Sequence, residues 1–106
     1  MKHKKTMKEK IIKFQKSPLR FKKYRATIKN KNGIKHIDFG DNRYQQYKDS
    51  TPLKLYRKLD HNDTKRRHNY FSRHSKIKYK RLALEKEIQK SNGQYNAKIL
   101  SHQYLW

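Results

Sequence analysis

The sequence predicts an α+β protein: one small domain with an N-terminal β-hairpin followed by two or three short helices, behind a basic N-terminal arm. Three observations carry this expectation. Asn32-Gly33, a turn dipeptide, separates two stretches that alternate apolar and polar residues. The second half holds runs with helical spacing, marked off by capping residues. With 106 residues, of which 32% are hydrophobic, the chain can enclose only one modest core.

Residues 1–22 carry a single acid, Glu9, among many lysines, and Ile11, Ile12 and Phe14 are too sparse to define a helix face. A flexible basic arm is expected there, with Ser17-Pro18-Leu19-Arg20 as a linker turn. The domain proper spans 23–106. In the hairpin, residues 24–39, Asn-Gly suits a type I′ turn, whose two central positions both need positive φ. That turn sets Ile28 opposite Ile37 and Ala26 opposite Phe39, with Tyr24 extending the apolar face. Arg25, Thr27, Lys29, His36 and Asp38 fall on the other face. A two-stranded hairpin is marginal in water, so its apolar face needs a cover.

Residues 40–62 form a tyrosine-rich wrap, in which Gly40, Asp41, Asn42, Asp49, Ser50 and Pro52 interrupt any long element. Tyr44, Tyr47, Leu53, Leu55, Tyr56 and Leu59 are expected to supply much of the core. The helical part is 63–106. Asn62 or Asp63 can cap a helix from about Thr64 to His74. A second helix spans about Lys78 to Lys90 and ends at Ser91-Asn92-Gly93, and a third runs from about Tyr95 to Tyr104.

Charge gives the strongest functional signal. Thirty Lys plus Arg against 8 Asp plus Glu leave a net charge of +22, so a polyanionic partner is expected. The excess is mostly lysine, which favours phosphate neutralisation over base reading. The run "KRRHNYFSRHSKIKYKR", residues 65–81, contains no acid; from it Arg66, Arg67, Arg73, Lys76, Lys78, Lys80 and Arg81 are the expected phosphate contacts. Lys2, Lys4, Lys5 and Lys8 of the arm join them, while Tyr70 and Phe71 are assigned to the core. The apolar ending Tyr104-Leu105-Trp106 is a candidate docking element for a protein partner.

Other chemistries find less support. There is no cysteine, which removes disulfides and cysteine zinc sites, and no apolar run suits a membrane span. Asp60, His61, Asp63, His68 and His74 could be recruited by a metal, and "DHND" with a later "HN" loosely suggests a histidine-asparagine-histidine nuclease. Yet His61 precedes the expected helix cap, and His68 and Asn69 fall inside that helix with no strand between. A non-enzymatic protein without metal, cofactor or small-molecule substrate is expected.

Lys22-Lys23-Tyr24, Phe39-Gly40, the Tyr44 to Asp49 step, Asp60 to Phe71, Arg73-His74 and Tyr104-Leu105-Trp106 together resemble a family of small basic, uncharacterised proteins of nucleocytoplasmic large DNA viruses, including chlorella-virus-like and mimivirus-like members. The resemblance covers about residues 22–106 and implies a viral protein, carried in the virion or made in the viral factory of the host cytoplasm. It implies no enzymatic activity. It brings no ligand of its own; the partner expected from the charge is nucleic acid, DNA in preference to RNA, and the alternative is a minor capsid or cement protein on acidic capsid surfaces.

Overall fold

Tyr24, Ala26 and Ile28 recur at every second residue, and the chain builds the central strand of a sheet from them. In the computed structural model, which describes residues 6–106, β1 (Lys10–Lys16), β2 (Lys22–Asn30) and β3 (Gly33–Asp41) form an antiparallel sheet in the order β1-β2-β3. The α+β expectation holds, with one strand more than a hairpin. Much of the expected arm is therefore structured: Ile11 pairs with Ile28 and Phe14 with Ala26. The register shifts between Ile11 and Lys13, and this bulge at Ile12 brings Ile11 and Phe14 onto the core side.

The hairpin register also differs from expectation. Ala26 pairs with Ile37 and Tyr24 with Phe39, so Lys31 and Asn32 form the loop between Asn30 and Gly33. Gly33 takes φ +127°, whereas Lys31 and Asn32 do not adopt positive φ, which rules out type I′. The offset is two residues, and side chains alternate with a period of two, so the apolar face is unchanged.

Three helices follow: α1 (Thr64–Ser75), α2 (Lys80–Lys90) and α3 (Ala97–Tyr104). The Asp63 side chain accepts a hydrogen bond from Arg66 N and caps α1; Asn96 does the same for α3 through Ile99 N. Lys76 ends α1 at φ +63°, and Gly93 follows α2 at φ +79°. The apolar face of the sheet packs on α3, burying Tyr24, Ala26, Ile28 and Phe39 with Leu100 and Leu105. Tyr70, Phe71 and Ala83 form a smaller cluster between α1 and α2, and Trp106 touches both clusters.

The wrap contributes differently from its expected role. Tyr44, Leu53 and Leu55 are exposed, while Gln46, Asp49 and Thr51 are buried. The reason is a hydrogen-bonded polar layer. Asp49 accepts from the Tyr24 hydroxyl (2.5 Å), the Thr51 hydroxyl (2.7 Å), Thr51 N (3.0 Å) and Tyr56 N (3.1 Å). Asp60 accepts from the Gln46 amide (2.6 Å) and Asp49 N (2.8 Å), and buried Lys23 donates to Gln46 and to Tyr44 O. This layer fixes an irregular segment that has little apolar surface to bury.

Candidate nucleic-acid interface

Each of the eight acids already has an internal task. Glu9 accepts from Asn30, Lys35 and Tyr95 N; Asp38 accepts from Ser17 and Arg25; Asp41 holds Arg43. Asp49 and Asp60 organise the wrap, and Asp63 caps α1. Glu85 pairs with Arg81 along α2, and buried Glu87 accepts from Ser75. Burial alone would raise the carboxyls of Glu9, Asp38 and Asp49, but their hydrogen bonds outweigh it and hold all three below the usual range. The bond from Arg43 brings Asp41 down to about 2. The exposed lysines and arginines are thus left to define the surface potential.

The exposed cations include Arg66, Arg73, Lys76 and Lys78, together with Lys8 near the start of β1. Arg66 leans on the Gln45 side chain (2.9 Å). Two of the expected phosphate contacts have intramolecular duties: Arg67 donates to Trp106 O (2.9 Å) while lying 4.4 Å over the Tyr47 ring, and Lys80 donates to Gln103 O (3.1 Å). Burial lowers the Lys80 pKa, with nearby Arg67 adding to the effect. Arg81 is exposed but paired with Glu85. Lys2, Lys4 and Lys5 lie outside the described residues. The sheet face away from α3 adds further cations, since Lys10 pairs with Lys29 across β1 and β2.

A groove of about 520 Å³ opens where α1 and α3 meet the end of the β2–β3 hairpin. Tyr70, Leu105 and Trp106 contribute its apolar wall; Lys22, Arg73 and Lys98 contribute its charge. Asp41 is the one acid lining it, and Arg43 neutralises that carboxylate at 2.7 Å. At the mouth, Tyr44 is 64% exposed. The Arg43 guanidinium lies 4.1 Å over the Phe21 ring and 5.7 Å over the Tyr44 ring. Asn42 pins the two loops together, donating from its backbone to Phe21 O (3.1 Å) and from its side chain to Arg20 O (3.0 Å). The sequence reading missed this platform, because Phe21, Arg43 and Tyr44 converge only once the β1–β2 turn meets the segment after β3.

The terminal triplet lies within the fold. Leu105 is 1% exposed in the main core, Tyr104 packs on Phe14 with ring centroids 4.8 Å apart, and Trp106 stacks on Tyr70 at 4.2 Å and 3°. Leu105 therefore shows little more than an edge on the groove wall and offers almost no surface to an external pocket. The histidines are dispersed. His61 Nδ1 accepts from Asp63 N (2.9 Å), His68 packs against Tyr79, and His74 lies beside Tyr70. His102 is fully buried in a directed chain: Tyr70 donates to Nδ1 (2.9 Å), Nε2 donates to Ser75 (2.7 Å), and Ser75 donates to Glu87 (2.7 Å). Burial brings His102 down to about 4, so it is neutral at physiological pH. Ser75 is 2% exposed, and this chain of bonds braces the three helices against one another. Among the described residues no three His, Asp or Glu side chains converge as metal ligands, and no helix is long and apolar enough to cross a membrane.

Residues 12–58 are similar to a family of unknown function, DUF5754. This stretch runs from the bulge of β1 through β3 and into the wrap, so it includes the Phe21–Arg43–Tyr44 platform. No curated protein and no solved structure matches the chain.

Proposed function

We propose that this protein binds nucleic acid without sequence preference, neutralising or packaging the genome of a large DNA virus as a non-enzymatic virion component. The supporting observation is the internal engagement of all eight acids in a chain of net charge +22. A cationic surface with so little opposing charge gains by releasing counterions from phosphates, which needs no base contact. Arg66, Arg73, Lys76, Lys78 and Lys8 are the exposed phosphate ligands among the described residues; Lys2, Lys4 and Lys5 of the leading segment add to them.

Fluorescence anisotropy of labelled random-sequence DNA across a salt series tests this reading. Log affinity should fall linearly with log salt, by roughly 0.9 per phosphate contacted on a duplex. A shallow slope overturns the proposal. Particle fractionation supplies the cellular arm: recovery with the nucleic-acid core supports genome binding, and recovery with the shell moves the partner to acidic capsid surfaces.

A further inference from the structure

We infer that the groove between α1, α3 and the β2–β3 end seats single-stranded nucleic acid, with an unpaired base stacked on Tyr44. The inference rests on the nucleic-acid reading above and adds the strandedness of the ligand and the place where it binds. Duplex binding by charge alone calls for a dispersed cationic surface, whereas this groove combines charge with an exposed aromatic ring and a planar guanidinium. Such a combination holds single strands, because every base has a π face and phosphates track the cations.

The geometry supports the assignment at three points. Tyr44 is 64% exposed and lines the groove, with Arg43 5.7 Å over one face of its ring, so a base can be received on the other. Arg43 is held in place by two bonds to Asp41, Nε to Oδ1 at 3.0 Å and an amino nitrogen to Oδ2 at 2.7 Å, and its guanidinium forms a ready second plane over Phe21. Lys22 and Arg73, both exposed, lie among the lining residues where the backbone of a seated strand would run. At about 520 Å³ the space suits one or two nucleotides, and Asp41, its single acid, is already paired.

The test compares a mixed-sequence single strand with the duplex of equal length, by anisotropy at fixed salt, for the full chain and three variants. Tyr44→Ala should lose roughly 5- to 150-fold for the single strand, the worth of one stacked base, with its salt slope and its duplex affinity unchanged. Tyr44→Phe should retain the wild-type affinity. Lys29→Ala, on the far face of the sheet, should weaken both ligands alike. Equal losses on both ligands for Tyr44→Ala, or no loss on either, would overturn the inference while leaving general nucleic-acid binding intact. Failure of the wild-type chain to bind either ligand would remove both readings, and polyglutamate competing as well as the single strand would assign the groove to an acidic peptide.

Discussion

Replacing Asp49 by Asn tests the polar layer with the loss of one charge and almost no change in shape. Asp49 is 1% exposed and accepts four hydrogen bonds, two at each carboxylate oxygen. An amide has one acceptor oxygen, so whichever way it is turned, two donors face its NH2 group. The Tyr24 and Thr51 hydroxyls can rotate, but the backbone N–H of Tyr56 or of Thr51 cannot. One stranded buried N–H costs about 1–3 kcal/mol, and exchanging charged for neutral hydrogen bonds adds about 1 kcal/mol. The expected total of about 2–4 kcal/mol is a large share of the roughly 5–15 kcal/mol that holds a domain together. Urea unfolding followed by the fluorescence of Trp106, the single tryptophan, measures it. With a slope of about 1–3 kcal/mol per molar urea, the midpoint should fall by at least about 0.7 M. Adding Tyr24→Phe to Asp49→Asn should cost less than the sum of the two single changes, because the hydroxyl then has no acceptor left to lose. A midpoint shift under about 0.3 M at unchanged slope would refute the reasoning.

Protonation should weaken the fold from a second direction: His102 is brought down to about 4 in the native state against an ordinary value of 6.5, so the unfolded chain takes up the proton first. Stability is therefore full above about pH 6.5 and falls as the pH drops towards 4, by about 3 kcal/mol; His102→Gln should flatten that part of the pH–stability curve. Gly40→Ala places a methyl group 2.8 Å from Leu105 Cδ1 at φ +77°, so a loss of about 1–3 kcal/mol is expected in thermal unfolding. The loss should shrink when Leu105 is also Ala, since the nearest contact is then gone while those with Lys23 remain. Glu85→Gln breaks only the exposed i,i+4 pair with Arg81 and should change stability by less than about 0.5 kcal/mol in the same assay.

The elements most legible in the sequence were those signalled locally. Asp63, one of the two caps expected, begins α1, which extends from Thr64 to Ser75, one residue beyond its expected end; α3 begins at Ala97 behind the Asn96 cap, two residues after the expected Tyr95. The hairpin face was legible through its period-two pattern even though the register was not, because the choice between Lys31-Asn32 and Asn32-Gly33 as central pair depends on backbone angles that the dipeptide alone leaves open. β1 was hidden by its bulge: with Ile12 inserted, Ile11 and Phe14 sit three apart and match no strand alternation. The wrap misled for the opposite reason, since its apolar side chains suggested a core while Gln46, Asp49 and Asp60 build the order through long-range polar contacts. At the candidate site, charge pointed to the cations of α1, but the aromatic platform depends on two segments about twenty residues apart, and spacing along one segment cannot reveal it.

Glu9 and Lys8 bring the start of β1 to the turn before α3: Glu9 accepts from Tyr95 N at 2.7 Å, and Lys8 N donates to Gly93 O at 2.8 Å. The stretch similar to the unknown-function family, 12–58, contains neither side of this clasp, nor Leu100 and Leu105 that cover the sheet. A fragment cut to that stretch would carry Tyr24, Ala26, Ile28 and Phe39 with only Phe14, Ile37 and Tyr56 packed against them, and should aggregate rather than fold. The stretch that is similar to the family and the unit that folds are thus different lengths of chain, and here the apolar face of the first is closed over by Leu100 and Leu105 from outside it.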